Sequence, residues 1–403
     1  MKKLAIPLLI FAVIYLLMTF VVAELTEKEL KKALVESEGP DLAINLLSYR
    51  RHFFTATAIS KVHITLDQET TVILNITSHI SHYPFQAVMK NEIEIADKAL
   101  ADRAESYFGS PNWLRSEEKI NLFSQLTGQL SIASGKYEGE SEVLSSGPIK
   151  INYQVDLKNK SAKFDFDWVG ISSSYYGTDM QFNSLQLSSN LADLSQPSDY
   201  DYKLIVDNIE IKQKDSHSLL EGLQLIGRSR QGKVEKTIDT SNELLLRSYQ
   251  FNNGLQQIFT NNSIKLALIG LYQPAFESFN QGADDAQEFE DALVELVNNG
   301  VQLTLSQLNS DTPWGEVDGQ FDFTLDKGAS LVDIMINPYV LLDYIEGDLS
   351  LVLPATLLNE PLLAESLQMG LMTGFLLHNK QTLNLETSFQ QGELIVNGRV
   401  IPL

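Results

Sequence analysis

The sequence predicts an α+β fold that is mainly β: long twisted antiparallel sheets with a few helices, preceded by one N-terminal transmembrane helix. The first observation behind this prediction is the alternation of apolar and polar residues in many separate segments, such as Phe164, Phe166 and Trp168. Strict alternation is typical of strands that bury one face and expose the other, and such strands pair antiparallel. The second observation is an uncharged, mostly apolar run at the start of the chain, which has no later counterpart.

The N-terminal residues indicate both a membrane anchor and its orientation. Lys2 and Lys3 precede residues 4–23, which carry no charge and as a helix would span the roughly 30 Å core of a bilayer. Basic residues stay in the cytoplasm, so we expect a single pass through a bacterial inner membrane with the C-terminal body in the periplasm. A cleaved secretory signal is the alternative, because Val21-Val22-Ala23 resembles a cleavage site. The run exceeds the ~7–15 residues of a signal core, which favours a retained anchor over residues 1–23.

Beyond the anchor, the pattern predicts a short stalk and a large body. Leucines and lysines at helical spacing predict a stalk helix over residues 24–40, ended by Gly39-Pro40. Residues 41–403 are expected to form a periplasmic β-rich body with two sheet units that divide near 255–300. Turn residues such as Asp318-Gly319 separate the alternating runs at intervals typical of hairpins.

Some segments of the body are predicted to be helical, and a hairpin is predicted to recur. A stripe of leucines in the last of these helices is interpreted as core. The predicted helices cover residues 96–108, 263–280, 284–298 and 354–377, and the stripe comprises Leu357, Leu358, Leu362, Leu363 and Leu367. Strand–turn–strand segments at 303–325 and 382–402 indicate a repeated sheet unit.

The composition and motifs predict no catalytic residue, no cofactor and no metal site. The chain has no cysteine, which excludes disulfides and thiolate metal sites. His79 and His82 lie three residues apart on a predicted strand, so their side chains should leave opposite faces, whereas a zinc site needs three or four convergent ligands. Zinc-protease, nucleophile-elbow and phosphate-loop patterns are absent from the sequence. We therefore expect a protein that is not an enzyme.

Charge restricts the partners of the chain. The net charge of −22 repels nucleic acid, so no nucleic-acid partner is expected. The acidic cluster between Asp284 and Glu295 lacks the ligand spacing of a calcium loop and is interpreted as a solvated helix face. The one basic cluster is interpreted as a charged hairpin tip, with contact to lipid headgroups as the alternative. Its residues are Arg228, Arg230, Lys233 and Lys236.

Three segments carry a resemblance to a known family. Residues 48–56 are similar to a Tyr-x-Arg-Gly-x-Phe-x-Ser motif, with Arg51 and Thr55 in place of the glycine and serine. His82-Tyr83-Pro84 is similar to a His-Gly-Pro motif, with Tyr83 in place of the glycine. Residues 392–403 match a closing hairpin almost throughout. In this order the segments resemble the YdgA-like bacterial family, which contains the domain of unknown function 945.

The resemblance implies a membrane-anchored periplasmic protein that self-associates, and it carries over no catalytic residue. The residues that match the family motifs are interpreted as structural, because a turn explains them better than chemistry does. They are Arg50, Phe53, His82, Pro84, Asn397 and Gly398.

Two functional hypotheses follow, with a carboxylate-pair hydrolase as a residual third. The leading hypothesis is a non-enzymatic envelope protein that is anchored in the inner membrane through residues 4–23 and acts as a scaffold or assembly partner, including as a homo-oligomer. The alternative is binding of lipid or another hydrophobic ligand in a groove of the sheet. The closing hairpin is loosely similar to the β-units of AsmA-like envelope proteins, an analogy of fold alone. A groove lined by the alternating apolar positions would favour lipid, and a filled core would favour the scaffold.

Overall fold

The computed structural model of the protein describes residues 2–36, 42–65, 70–194, 198–280, 286–390 and 392–401. The chain divides into two compact units. The first comprises Met1–Tyr176 and Ser184–Ser195, and the second comprises Gly177–Asn183 and Gln196–Leu403. The division predicted near 255–300 falls inside the second unit, because the strands on either side of that region pair with each other, as Leu268 does with Leu303.

The predicted anchor and stalk belong to one helix, α1 (Lys2–Glu36). Within the described ranges the structure has no helix whose length and hydropathy together suffice for a membrane crossing. The side chains of residues 1–12 lie outside the described part, so the anchor stays a prediction. Residues 37–41, which include the expected stop at Gly39-Pro40, also lie outside it.

The described strands of the first unit form an antiparallel sheet. They are β1 (Leu42–Arg51), β2 (Thr55–Thr65), β3 (Thr71–His82), β4 (Gln86–Ile95), β5 (Leu114–Asn121), β6 (Gln125–Ile132), β7 (Gly135–Glu138), β8 (Glu142–Ser146), β9 (Ile149–Asp156) and β10 (Ser161–Tyr175). Strands β1 to β6 pair in sequence order, and β6 then pairs with β9. Strand β10 pairs with β9 along its first half and with β8 along its second, and β7 pairs with β8.

The C-terminal half of α1 packs on this sheet. Val22 is fully buried against a patch of small and apolar residues that includes Ala56, Ala58, Ile80 and Ala87. Alanines on the sheet leave room for the helix backbone to approach, and close packing of this kind is what stabilises a core. The main core of the first unit therefore lies between α1 and strands β2 to β5.

The predicted helix at 96–108 is confirmed as α2 (Lys98–Phe108). The Asp97 carboxylate caps it by accepting a hydrogen bond from the Leu100 amide, and Gly109 ends it in the left-handed conformation with φ 67°.

The second unit is a longer antiparallel sheet, and β11 (Thr178–Leu191) contributes to both units. Its strands are β12 (Tyr200–Gln213), β13 (Ser216–Gln231), β14 (Thr237–Asn252), β15 (Gln256–Tyr272), β16 (Val301–Thr312), β17 (Gly315–Leu325), β18 (Ile345–Pro354), β19 (Leu377–Asn379), β20 (Thr382–Gln390), β21 (Glu393–Val396) and β22 (Arg399–Ile401). Strands β12 to β18 pair in sequence order; β18 then pairs with β20, and β20 with β21. Both predicted hairpins, at 303–325 and 382–402, are confirmed, and the second adds the short strand β22.

The described helices of this unit are α3 (Gln273–Asn280), α4 (Ala286–Asn299), α5 (Leu331–Ile336) and α6 (Ala364–Thr373), with 3₁₀ turns at Pro338–Asp343 and Ala355–Asn359. The helix predicted at 284–298 is confirmed as α4, while Asp284 and Asp285 lie outside the described residues. The helix predicted at 263–280 is wrong over most of its length. Residues up to Tyr272 extend β15, because β14 and β16 flank that segment and satisfy its backbone hydrogen bonds.

The long helix predicted at 354–377 is also wrong in extent and in burial. Pro361 separates a 3₁₀ turn from α6, since proline cannot donate within a helix. Leu357 is buried as expected, but Leu362 is 89% exposed and Leu363 is 42% exposed, so the leucines do not form one buried stripe.

Candidate functional site

An apolar face runs across the strands of the second unit. Alternate residues point to the same side of each strand, and cross-strand register aligns them in rows perpendicular to the strands. One row contains Leu268, Leu303, Phe323, Gly347 and Phe389, on β15, β16, β17, β18 and β20. The next row contains Leu266, Leu305, Phe321, Leu349 and Thr387. Apolar residues of five neighbouring strands thus form one continuous surface.

This face is not closed over as a core would be. Phe323 is 37% exposed, and Leu303, Phe321 and Leu349 are only partly buried. A cavity of about 480 Å³ lies along the rows, and it is lined mainly by their apolar side chains. Pockets that hold small ligands have volumes of roughly 300–1,000 Å³ and mostly apolar walls. The size and chemistry of this groove therefore suit an apolar ligand.

The opposite face of the same strands is polar. Asp322 accepts hydrogen bonds from the Gln302 amide at 3.0 Å and the Thr304 hydroxyl at 2.8 Å. A second groove of about 580 Å³ is lined by Asp322, Asp348, Ser350 and Ser388, and also by Leu305, Phe321, Leu349 and Thr387 of the second apolar row. Register places the polar and the apolar residues of these strands on different faces, as the sequence predicted, and the groove of about 480 Å³ has the more apolar lining of the two.

The apolar face of the first unit contains a buried carboxylate, Glu118. It is 7% exposed and accepts hydrogen bonds from Asn91 Nδ2 at 2.5 Å, from Tyr153 Oη at 3.2 Å and from the Ser116 hydroxyl. Burial raises the pKa of Glu118, although the three donors oppose that shift. Burial and the Glu118 carboxylate also raise the pKa of Tyr153. The Glu118 carboxylate is thus hydrogen-bonded within an apolar surface, whereas Asn91 Oδ1 has no partner among the described residues.

Beside Glu118 a tyrosine ring packs over a glycine of the neighbouring strand, and this arrangement recurs in the second unit. Glu118, Gly128 and Tyr153 stand opposite one another on β5, β6 and β9, and the tyrosine ring lies so close over Gly128 that a Cβ there would come within 2.1 Å of it. Tyr202 lies over Gly227 in the same way, and its hydroxyl reaches Asn242 Oδ1 at 3.1 Å. An aromatic ring that covers a glycine of the neighbouring strand restores the packing that the glycine lacks.

His82 occupies the buried end of β3. It is 2% exposed, and neither ring nitrogen makes a hydrogen bond of good geometry among the described residues, although the Phe53 backbone lies close enough to favour the protonated ring. Burial lowers the pKa of His82, so the neutral imidazole is favoured. His79 is exposed on the other face and lies 3.6 Å from Glu92, which confirms that the two histidines leave opposite sides of the strand. Within the described residues, no cluster of three or more histidines and carboxylates is placed to hold a metal ion.

The other residues of the family motifs are divided between the two units. Pro84 is buried in the turn after β3, whereas Arg50 and Phe53 are exposed at the end of β1 and in the turn that follows. Asn397 and Gly398 form the turn between β21 and β22, far along the chain in the second unit.

Asn397 connects three segments of the second unit. Its backbone is left-handed with φ 48°, its side-chain oxygen accepts from the Glu386 amide at 2.9 Å, and its Nδ2 donates to the Gly374 and Phe375 carbonyls at 3.0 Å. These bonds fix the loop after α6 to the closing hairpin.

The basic cluster divides into two pairs of residues. Arg228 and Arg230 make ion pairs with Asp201 at 3.0 and 2.6 Å. Lys233 and Lys236 lie in the turn between β13 and β14, which confirms a charged hairpin tip for these two lysines.

The sequence did not predict the Glu118 network or the partly exposed apolar rows of the second unit, although the alternation on β5 was a signal for the buried carboxylate. Ser116, Glu118 and Ile120 alternate on β5, which placed a carboxylate at an inward position. Register across strands decides whether such residues meet, and the sequence does not state register.

Comparison with known proteins identifies the family. No significant match is found among curated proteins or among solved structures. The family described as bacterial protein of unknown function (DUF945) matches residues 1–403. Because this match covers the whole chain, the protein belongs to the bacterial family DUF945.

Proposed function

We propose that the protein is a non-enzymatic, inner-membrane-anchored periplasmic protein that holds acyl chains of lipid, or similar hydrophobic ligands, along the apolar face of its second unit. The observation that carries the proposal is the pair of apolar rows on β15 to β20, which remain partly exposed beside a groove of about 480 Å³. An unfilled apolar groove is the outcome that favours lipid over scaffold.

The dimensions of the rows fit a hydrocarbon chain. Five strands at a spacing of about 4.8 Å give each row a length of about 19 Å. Covering this surface with acyl carbons would contribute about 0.8 kcal/mol for each methylene removed from water. A tether to the membrane would keep the groove close to its source of lipid.

A second candidate is the scaffold or assembly role. It is favoured by the exposed apolar side chains around α6, where Met372 is 88% exposed and Met369 is 59% exposed. Methionine-rich surfaces adapt to partners of varied shape. Crosslinking in cells tests this role: recovery of dimers or of a defined partner supports it, and recovery of monomer alone contradicts it.

A charge placed on the apolar rows tests lipid binding. Leu349→Lys puts an ammonium in the groove, whereas Ser350→Lys puts the same group on the polar face of the same strand and serves as the control. Burying a lysine against acyl chains costs at least about 1.4 kcal/mol, so we expect at least about a tenfold loss of co-purified lipid for Leu349→Lys. The measurement is lipid extracted from the full chain purified in mild detergent, quantified by mass spectrometry per mole of protein.

Thr387→Lys provides a second variant on the same row, from a position that is already polar. Circular dichroism establishes that each variant is folded. Equal lipid content in the unsubstituted chain and in all folded variants, or no lipid in any of them, would contradict the proposal.

A further inference from the structure

Three turns of the first unit expose a group of aromatic side chains. The turns follow β1, β3 and β5, and their aromatic residues are between 44% and 77% exposed. We call this group the aromatic tip; it consists of Phe53, Phe54, Tyr83, Phe85 and Phe123. Large exposed apolar groups are normal when scattered, but a contiguous group of them marks a contact surface.

Backbone hydrogen bonds show that the three turns are neighbours. The His82 amide donates to the Phe54 carbonyl at 2.8 Å, and the Leu122 amide donates to the Phe85 carbonyl at 3.0 Å. The five rings therefore lie at one end of the sheet, where β1, β3 and β5 finish.

Helix α1 projects from the same end. Arg51, the last residue of β1, lies 3.2 Å from Glu24 and 5.6 Å from the centre of the Phe20 ring. Lys31 lies 5.8 Å from the ring of Tyr49, earlier on β1, so the helix runs antiparallel to that strand. Thr19 is still fully buried on the unit, so the residues up to Leu17 extend beyond the turns, over about 24 Å at 1.5 Å per residue for positions 2–17.

The projecting part of the helix is apolar and uncovered. Residues from Val13 to Leu17 are all apolar or aromatic and between 38% and 60% exposed. An exposed apolar helix and five exposed aromatic rings thus leave the unit in the same direction.

We infer that the aromatic tip rests in the interfacial layer of the membrane that holds α1, so that the first unit is seated on the bilayer as well as tethered to it. This inference rests on the membrane anchor of the proposed function. Aromatic side chains are favoured at the boundary between headgroups and acyl chains. With a net charge of −22 the chain gains no general attraction to anionic lipid, so the rings of the tip supply the contact. Seating the first unit in this way would fix its orientation to the lipid surface.

Fluorophore quenching in the full chain tests the tip. Because the chain has no cysteine, single cysteines at Phe85→Cys and Phe123→Cys can carry a thiol-reactive fluorophore without a competing label. The matched control is Tyr176→Cys, because Tyr176 is 76% exposed in the turn after β10. Strand β10 begins at the end of the sheet that carries the aromatic tip, so this turn lies at the other end of the sheet. Val13→Cys reports on the insertion of α1. The labelled protein is reconstituted in phosphatidylcholine vesicles that contain phosphatidylcholine with a nitroxide near the headgroup.

The expected result is quenching at positions 13, 85 and 123, at least twofold stronger than at 176 and unchanged between low and high salt. Quenching at position 13, with quenching at 85 and 123 no stronger than at 176, would contradict the membrane contact of the aromatic tip but not the insertion of α1. The absence of quenching at all four positions would contradict both the insertion of α1 and the membrane contact of the aromatic tip. Shielding of 85 and 123 from aqueous iodide without quenching by the spin-labelled lipid would assign the tip to a protein contact instead, and would also overturn the inference.

Discussion

Glu118 shows how one buried residue can be stable inside an apolar surface. Three donors surround its carboxylate, so the charge is accommodated, yet burial still raises its pKa. The sequence indicated the inward position of Glu118 only through its parity with Ile120, and it gave no sign of the donors. Those come from β4, β5 and β9, and long-range strand pairing brings them together.

Two substitutions of Glu118 separate the effect of its charge on stability from the effect of its hydrogen bonds. In Glu118→Gln the amide oxygen still accepts hydrogen bonds, so we expect a change in the free energy of unfolding within about 1 kcal/mol at pH 7. In Glu118→Leu the Ser116 and Tyr153 hydroxyls lose their acceptor, while Asn91 Nδ2 keeps only the Ser116 hydroxyl at 3.2 Å, and we expect a loss of about 3 kcal/mol. Urea denaturation measures both values. Equal stability of the two variants would contradict the network.

The stability of the unsubstituted chain relative to Glu118→Gln should depend on pH in a defined direction. The folded pKa of Glu118 is raised, so the native state takes up a proton before the unfolded state does as the pH falls. The unsubstituted chain should therefore gain stability relative to Glu118→Gln between pH 7 and about 4.5, and the gain should be lost as the pH rises again. A stability difference that stays constant over this range would show that the carboxylate does not titrate abnormally.

At the scale of elements, alternation predicted the strands well and continuous apolar runs were ambiguous. Ile264, Leu266 and Leu268 lie on one face of β15, but Ala267 and Ile269 on the other face are apolar too, so the run showed no period of two. Pairing with β14 and β16 decided the outcome, which is a long-range effect. The predicted turns had mixed outcomes. Asn397-Gly398 forms a turn, and both residues have a positive φ that few residues adopt. The turn predicted at Asp318-Gly319 is wrong, because these residues lie within β17 and pair with β16 and β18.

Asn397 offers a test at this scale. Asn397→Ala loses the bonds to Glu386, Gly374 and Phe375 and places alanine at φ 48°, so we expect a loss of about 3 kcal/mol. Asn397→Gly loses the same side-chain bonds without the backbone strain and should cost about 1 kcal/mol less. Hydrogen exchange should show faster exchange of the Glu386 amide in both variants. Protection of that amide as in the unsubstituted chain would contradict the role assigned to Asn397.

At the scale of the whole molecule, each unit is an antiparallel sheet with one polar and one apolar face. The sequence predicted this chemistry, since alternation requires it, and it predicted the family from the motifs that end at the closing hairpin. The boundary between the units lay elsewhere than predicted, because contacts and not composition define it. The sequence also did not predict whether the apolar face is covered, because the amphipathic pattern of a strand is the same in a filled core and in an open groove.

The central claim is that acyl chains occupy the open rows of the second unit, and photocrosslinking in living cells tests it most directly. Leu349 on the apolar face and, as a control, Ser350 on the polar face are each replaced by benzoylphenylalanine, which inserts into neighbouring C–H bonds on illumination. Mass spectrometry of the purified chain should find lipid adducts at position 349 and none at 350. The absence of lipid at 349, or equal labelling at both positions, would contradict the account.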